Sequence, residues 1–521
     1  MNGEAMRIET QVLVIGGGLT GAGVLRDLAL RGIQAVLLER RDLNAGASGA
    51  NHGLLHSGGR YVVTDPDSAR ECVRENAVLK RIASGCVEDT GGLFVALEED
   101  KDEFVADFLS SAAGIGLAAE QADLKEILEE EPSLQPRIKA AIRVPDASIN
   151  PFLTTETNLD AARRLGARVF FHTQVTSMQR DGKKITRVEA IQAKTGETVE
   201  VFADQVVSAA GPWVDRIGAL AGADLRIAYS QGSLLITNSR LVNRVINRLR
   251  PPSDGDIVVP GETVTITGTN SIRVENLDHL RTSASEVDRL VAEASKMVPA
   301  LGTARFIRVY AGVRPLVLAD PKEADREITR TFTVFDHERD GLENLASIAG
   351  GKLTTYRLMA ERVVDLVCRR LGVDEPCRTA EVPLPGSEGG QALDTGKRLE
   401  RLRVPPPDGG VLCECEMVGR EQVEKIVTEL RKNGHPIDPN AIRLRSRLGM
   451  GSCQGGFCGY RTIGYLYERG FVSHKKGNEL LADFLEKRWG GIKPMLWGEQ
   501  LRQEQLLEAI YCGSLNIDGN L

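Results

Sequence analysis

Three groups of residues in this 521-residue chain have the types and spacing to do chemistry. The first is Gly16-Gly17-Gly18-Leu19-Thr20-Gly21, a G-x-G-x-x-G between the strand pattern Val12–Ile15 and a helix pattern from about Thr20 to Leu30. Gly16, Gly18 and Gly21 permit a tight turn and close approach of backbone to a pyrophosphate, which then sits at the positive end of the helix. Glu39 ends the next strand pattern, Ala35–Leu38, 21 residues after Gly18, where a carboxylate accepts hydrogen bonds from a ribose. An acid there opposes a 2′-phosphate, so NADP is disfavoured. The glycines alone do not separate FAD from NAD. The long polar, glycine-rich segment that follows, Arg40 to Gly53 with Ser48, Asn51 and His52, suits the pyrophosphate and isoalloxazine of an extended FAD.

The second group is cationic. Arg314 lies in Gly-Val-Arg-Pro with apolar flanks, a poor place for a surface charge, and Lys352 sits between glycines and a Leu-Thr-Thr run. Arg60-Tyr61 closes the segment after Gly53, and Arg330 begins a strand-like stretch. On residue type alone each is as readily an ordinary ion-pair partner, Arg330 most of all.

The third group is Cys413-Glu414-Cys415 and Cys453-Gln454-Gly455-Gly456-Phe457-Cys458, with 37 residues between the pairs. Four thiolates suffice for a [2Fe–2S] cluster. A structural zinc site is the alternative, but C-x-C is less usual for zinc. Gly449, Gly451, Gly455, Gly456 and Gly459 let backbone amides turn toward cluster sulfurs. The other five cysteines are scattered and read as buried small hydrophobes.

These groups need elements to hold them. Residues 11–40 open a parallel α/β sheet. Helix patterns cover Asp67 to about Ser84, Asn158–Arg164 and Ser285–Val298; strand patterns cover Ala167–Val175 and Ala203–Ala209. Residues 228–275, rich in β-branched residues and turns, predict an inserted antiparallel sheet. Pro383–Gly390 and Pro405–Gly410 read as linkers, and a helical tail with Trp489 and Trp497 follows the cysteine region. His172, His279, His337, His435 and His474 carry no motif and read as structural.

The length implies more than one domain. A net charge of −7 gives no basic field for nucleic acid. No apolar run approaches the ~18 residues of a membrane span. No secretory signal opens the chain, so the expected compartment is the cytoplasm, with any membrane contact peripheral.

Together the motifs resemble those of the flavin-dependent glycerol-3-phosphate dehydrogenases, within the wider D-amino-acid-oxidase-like FAD fold, and most closely the large flavin-bearing chains of the anaerobic, quinone-linked bacterial enzymes. The matching stretches are Val14–Gly21, Asn51–Tyr61, Ala209–Trp213, Ala311–Leu316 and Gly350–Arg357. The cysteine region is similar to the [2Fe–2S] domain named for bacterioferritin-associated ferredoxin; that family more often has C-x2-C where this chain has C-x4-C.

The resemblance implies an α/β FAD-binding Rossmann domain at 1–225 and 325–375 and an antiparallel substrate domain at 226–324. A linker at 376–410, the iron–sulfur domain at 411–465 and a helical tail at 466–521 complete the expectation. It implies that Arg60, Tyr61, Arg314, Arg330, Lys352 and His56 line a glycerol-phosphate pocket beside the flavin. Val175, Ala210, Gly211, Gly351, Lys352, Leu353 and Thr354 are expected to join Arg40 and the earlier residues around FAD. His56 is the first choice for the base and Lys352 its rival. Arg314 is cast as electrophile, since a guanidinium does not deprotonate in proteins.

The reaction implied is oxidation of sn-glycerol 3-phosphate to dihydroxyacetone phosphate. Electrons would leave through the cluster to B- and C-type partner subunits and quinone at the inner face of the cell membrane. Two other readings stand: a 2-hydroxy-acid or amino-acid dehydrogenase or oxidase, and a non-catalytic electron-transfer protein.

Overall fold

The computed structural model describes residues 5–278, 280–318, 328–401, 410–496, 498–514 and 517. Strand Met6–Ile15 turns through Gly16–Gly18 into helix Leu19–Leu30 and returns as strand Ala35–Leu38, parallel to the first. Val12, Leu13, Val14 and Ile15 are all buried, as a parallel strand covered on both faces requires. Thr198–Ser208 adds in parallel on the other side of the first strand, and Leu345–Gly350 adds in parallel to that. Among the described residues this sheet has eight strands. The helices Leu19–Leu30, Pro151–Arg164 and Tyr356–Leu371 pack on it through Val24, Leu28, Leu159, Val363 and Val367.

A second sheet, of nine strands among the described residues, is antiparallel except where Val245–Arg248 runs beside Gly92–Leu97. Ile227–Thr237 pairs along its length with Phe306–Val317. Helix Ala284–Met297 covers it with Val287, Leu290, Ala294 and Met297, one face at helical spacing.

Several boundaries differ from the sequence pattern. Gly92–Leu97, Glu120–Gln121 and Ile138–Val144 belong to the second sheet, so that sheet draws on the stretch 92–144 as well as on 226–324. Every residue of Gly92–Leu97 is buried, which removes the alternation that would reveal a one-sided sheet. The helix expected from Asn158 starts at Pro151, capped by Asn150 accepting from the amides of Phe152 and Leu153. Thr154 and Thr155, which argue against helix by type, bond back to the carbonyls of Asn150 and Pro151. The strand expected over 167–175 is two strands, Arg168–Phe170 and Thr173–Asp181, broken where His172 takes a φ of 55°.

The stretch 376–401 is anchored at points along it: Thr379, Leu384 and Ser387 are buried, and the amide of Leu393 donates to the carbonyls of Ser84 and Val87. The boundary at 324–325, the run Pro405–Gly409, His279 and Trp497 lie outside the described residues. The tail shares one core with the cysteine region, where Leu412, Val427 and Ile442 meet Leu481, Phe484 and Tyr511.

That C-terminal unit is fastened to both sheets. Arg445 makes a two-pronged bond to Asp42 at 3.0 and 2.8 Å, three residues past Glu39. Arg447 pairs with Glu262 and Glu416, and the amide of Val309 donates to Gly491 at 2.7 Å. Burial raises the Asp42 carboxyl, but Arg445 outweighs it and the net direction is down. The pair therefore stabilises the docked state above the unfolded carboxylate value and loses that contribution as the pH falls through the depressed folded one. Arg445→Met leaves Asp42 buried without its partner and should cost about 3–5 kcal/mol. A fall in thermal midpoint with loosened proteolytic protection of residues 411–514 is expected; an unchanged melting curve would contradict the role of this pair.

Candidate active site

A cavity of about 1140 Å³ runs from the first glycine turn to the second sheet. At one end it is lined by Gly16, Gly18, Glu39, Arg40, Ser48, Asn51, Val175, Ala210 and Gly211, while His52 stands nearer the other end, its ring 5.8 Å from that of His56. A Cβ on Gly16, whose φ is +114°, would lie 2.6 Å from the Ala209 carbonyl oxygen, so the strand-end approach requires glycine. Glu39 is held by the amides of Gly17 (2.6 Å) and Arg41 (2.8 Å); burial pushes its carboxyl up, against those two bonds. Ser48 accepts from the amide of Leu19 at 2.9 Å, fixing the loop to the helix start. Arg40 stacks at 4.2 Å over Trp213, whose buried Nε1 has no hydrogen-bond partner among the described residues.

Gly21, Gly53 and Thr354 stand behind the lining rather than in it. Gly21 lets the helix approach the carbonyl of Gly16, and Gly53 passes close to that of Ile149. Thr354 accepts from the amide of His56 at 3.0 Å.

At the other end Gly351, Lys352 and Leu353 face His56, Arg60, Tyr61, Arg314 and Arg330 across the same cavity. The sheet pairing puts Arg314 opposite Ser230, and its guanidinium donates to the Thr269 hydroxyl and the Asn270 carbonyl. It lies directly over Gly232, where a Cβ would come within 2.6 Å of Nη2. Lys352 Nζ donates to Ser68 and to the carbonyl of Arg330 (2.9 Å) and lies 5.0 Å from the Tyr61 ring. Its ammonium is thus engaged as a donor, which counts against it as the base. Arg60 donates to Asp256 at 3.2 Å and to the carbonyl of Ser253, so its charge is partly compensated by a fully buried carboxylate.

Both histidines are neutral at physiological pH. His52 falls to about 3, through burial and then Arg314 and Arg60. His56 is also held well below the ordinary imidazole value, by burial and then His52, Lys352 and Arg60. His52 Nδ1 accepts from the amide of Leu54, so the proton of the neutral ring is on Nε2.

Asp256, Thr269, Asn270, Ser68 and Trp213 are site residues absent from the expected set. The first four act by holding a cation in place, and nothing in their local sequence marks that role. Trp213 carries a signal: it ends the Ala209–Trp213 stretch.

In the C-terminal unit the four expected cysteines converge. The Cys413 thiol contacts Cys458, and Cys453 contacts both Cys415 and Cys458. These contacts drive the Cys453 thiol far down and those of Cys415 and Cys458 up. Backbone amides of Gly449 and Gly455 face Cys413 and Cys453 respectively. Among the described residues no group of three or more His, Cys, Asp or Glu side chains surrounds a single point as ligands of one ion would.

A dinucleotide cradle that opens onto a cationic pocket with neutral imidazoles defines an FAD-binding oxidoreductase. Residues 11–366 match the family of FAD dependent oxidoreductases. The chain is 41% identical to the A component of the anaerobic glycerol-3-phosphate dehydrogenase of Escherichia coli K12, covering 98% of this chain and 97% of that one. It is 40% identical to the A1 component of the Haloferax volcanii anaerobic enzyme, over 98% of this chain and 92% of that one. The fold is also similar to the glycerol-3-phosphate dehydrogenase of Bacillus halodurans solved with FAD: TM-score 0.65 and 22% identity, covering 94% and 96% of the two chains. The chain belongs to the FAD-dependent oxidoreductase family and, within it, to the group of the A components of anaerobic glycerol-3-phosphate dehydrogenases.

Glu39→Gln replaces a charged acceptor of two amides and should weaken FAD binding by one to two orders of magnitude, from the ~1.5–3 kcal/mol carried by hydrogen bonds to a charged group. Flavin content after dialysis reads this directly; full retention would show that Glu39 does not hold the cofactor.

Proposed function

We propose that this enzyme oxidises sn-glycerol 3-phosphate to dihydroxyacetone phosphate. Electrons then pass through a [2Fe–2S] cluster on Cys413, Cys415, Cys453 and Cys458 to partner subunits and quinone. The observation that carries the reading is the gathering of Arg60, Arg314, Arg330 and Lys352 around His56 at one end of the FAD cavity. The relatives from Escherichia coli and Haloferax volcanii named above support the substrate and, being subunits themselves, the partners. Among the described residues no helix is long and apolar enough to cross a membrane. We place the chain at the inner face of the cell membrane, held there by its partners.

FAD would be held by Gly16, Gly18, Glu39, Arg40, Ser48, Asn51, His52, Val175, Ala210, Gly211 and the turn Gly351–Leu353, all of which line the cavity. When bound, it supplies the hydride acceptor. A phosphorylated alcohol carries about −1.5 to −2 charge. Arg330, Lys352 and Arg60 supply the cations that bind the phosphate. Arg314, fixed over Gly232, stabilises negative charge developing on the carbinol oxygen. His56 enters neutral and accepts the hydroxyl proton on an imidazole nitrogen as the hydride leaves the carbinol carbon. Cys413, Cys415, Cys453 and Cys458 fit a thiolate-bound group: their thiols converge and two glycine amides face them. A [2Fe–2S] cluster there would supply a one-electron acceptor.

His56→Asn should lower kcat by about 10²–10⁴-fold. Because both imidazoles are depressed, the acidic limb of kcat/KM should lie below the ordinary imidazole value of ~6.5. A limb at or above that value would exclude His56 as the base. Gly232→Val should displace Arg314 and cost roughly 10²-fold in kcat/KM.

The reading as a whole is tested by anaerobic titration of the full chain, followed by flavin absorbance and EPR. Glycerol 3-phosphate should bleach the ~450 nm band and raise a rhombic [2Fe–2S] signal. Reduction by D- or L-2-hydroxy acids and not by glycerol 3-phosphate would overturn the substrate assignment; zinc in place of iron would overturn the relay.

A further inference from the structure

Arg488 lies near the end of helix His474–Trp489 and is only 3% exposed. Its Nη2 donates to Oε1 of Gln454, the residue after Cys453. The Gln454 amide is oriented for this, because its Nε2 donates to the carbonyls of Met450 and Gly451. Arg488 Nε is buried with no hydrogen-bond partner among the described residues. Burial, and then the like charges of Arg308 and Arg443, oppose its charge, and no carboxylate ranks among its charged neighbours. Its side chain packs on the cysteine loop: a Cβ added at Gly455, two residues past Cys453, would stand 3.6 Å from Arg488 Cγ.

The repulsion is built in. Arg308 donates to the carbonyls of Lys487 and Arg488, at 2.8 Å to the latter, and the buried Nε of Arg443 also has no partner among the described residues. Three guanidinium groups thus gather on the side of the C-terminal unit that meets strand Phe306–Val317. A buried guanidinium without a counter-ion is unfavourable, and an anion beside it offsets that cost. The group at hand that becomes anionic on holding a [2Fe–2S] cluster is the set of four cysteines.

We propose that Arg488 is the counter-cation of the iron–sulfur group held by these cysteines, and that it raises the reduction potential of that group. The inference rests on the reading of the cysteines under Proposed function. A [2Fe–2S] centre with four thiolates carries net negative charge and gains one more unit on reduction. A fixed cation beside it therefore favours the reduced form. Arg488 is a positioning and tuning residue: it reaches the centre through Gln454 and through its charge. Strand Phe306–Val317 carries Arg308 at this site and Arg314 at the flavin cavity, so one strand braces the cations of both redox centres.

The test is potentiometric EPR titration of the full chain, with iron and sulfide assayed on each sample. Arg488→Met, which keeps bulk and removes charge, should lower the equilibrium constant for reduction at least ten-fold, a shift of about 59 mV to more negative potential for a one-electron couple. Arg488→Lys, which keeps the charge, should stay much nearer the wild-type potential. Wild-type iron content with an unmoved potential in Arg488→Met would overturn the proposal.

If Arg488→Met does not retain iron, Arg308→Met tests the same field from one layer farther out. A smaller shift of the same sign supports the proposal and no shift overturns it. A wild-type chain with neither iron nor an EPR signal would instead sink the reading of the cysteines, and this inference with it.

Discussion

Like charges gathered in a cavity repel, and the architecture around this one is largely a means of holding several cations in place. Each is fixed from behind. Arg60 is tied to Asp256, Arg314 rests on Gly232 and donates to Thr269 and Asn270, and Lys352 donates to Ser68 and the Arg330 carbonyl. Their holders come from helix Pro66–Ile82 and from residues in or next to strands of the second sheet, while Arg330 precedes and Lys352 follows a strand of the first. Neither sheet alone could assemble the pocket. Burial, and then these cations, act on the imidazoles: both His52 and His56 are held below the ordinary imidazole value and so stay neutral.

The flavin end depends on a different constraint, the close passage of backbone past backbone. Gly16 meets Ala209, and Gly21 meets Gly16, at distances no side chain tolerates. This is why the cradle is legible in the sequence: a glycine pattern, a buried strand on each side and Glu39 at the end of the second are all local. The cysteine pairs are legible for the same reason. The strands at 92–144 are not, because a strand buried on both faces shows no alternation and its partners lie far along the chain. The counter-charge of Arg60 lies 196 residues away, beyond anything a local pattern carries. The tail looks separable in sequence because its leucines have helical spacing whether they face solvent or the cysteine core.

The C-terminal unit adds a second reason for the two-sheet plan. It is fastened to the first sheet through Arg445 and Asp42, near Glu39, and to the second through Arg447, Glu262 and Gly491. A unit gripped on both sides holds its cysteines at a fixed place relative to the flavin cavity. In the proposed function that fixed spacing allows two centres of different electron count to work in series.

The central claim is that the cations select a phosphorylated alcohol. The most direct measurement is anaerobic stopped-flow reduction of the flavin by glycerol 3-phosphate, by glycerol, and by glycerol with inorganic phosphate. Two charge-assisted contacts at ~1.5–3 kcal/mol each predict an advantage of roughly 10²–10⁴-fold for glycerol 3-phosphate over glycerol. That advantage should collapse in Arg330→Met and Lys352→Met. Equal reduction by glycerol and glycerol 3-phosphate would contradict the account.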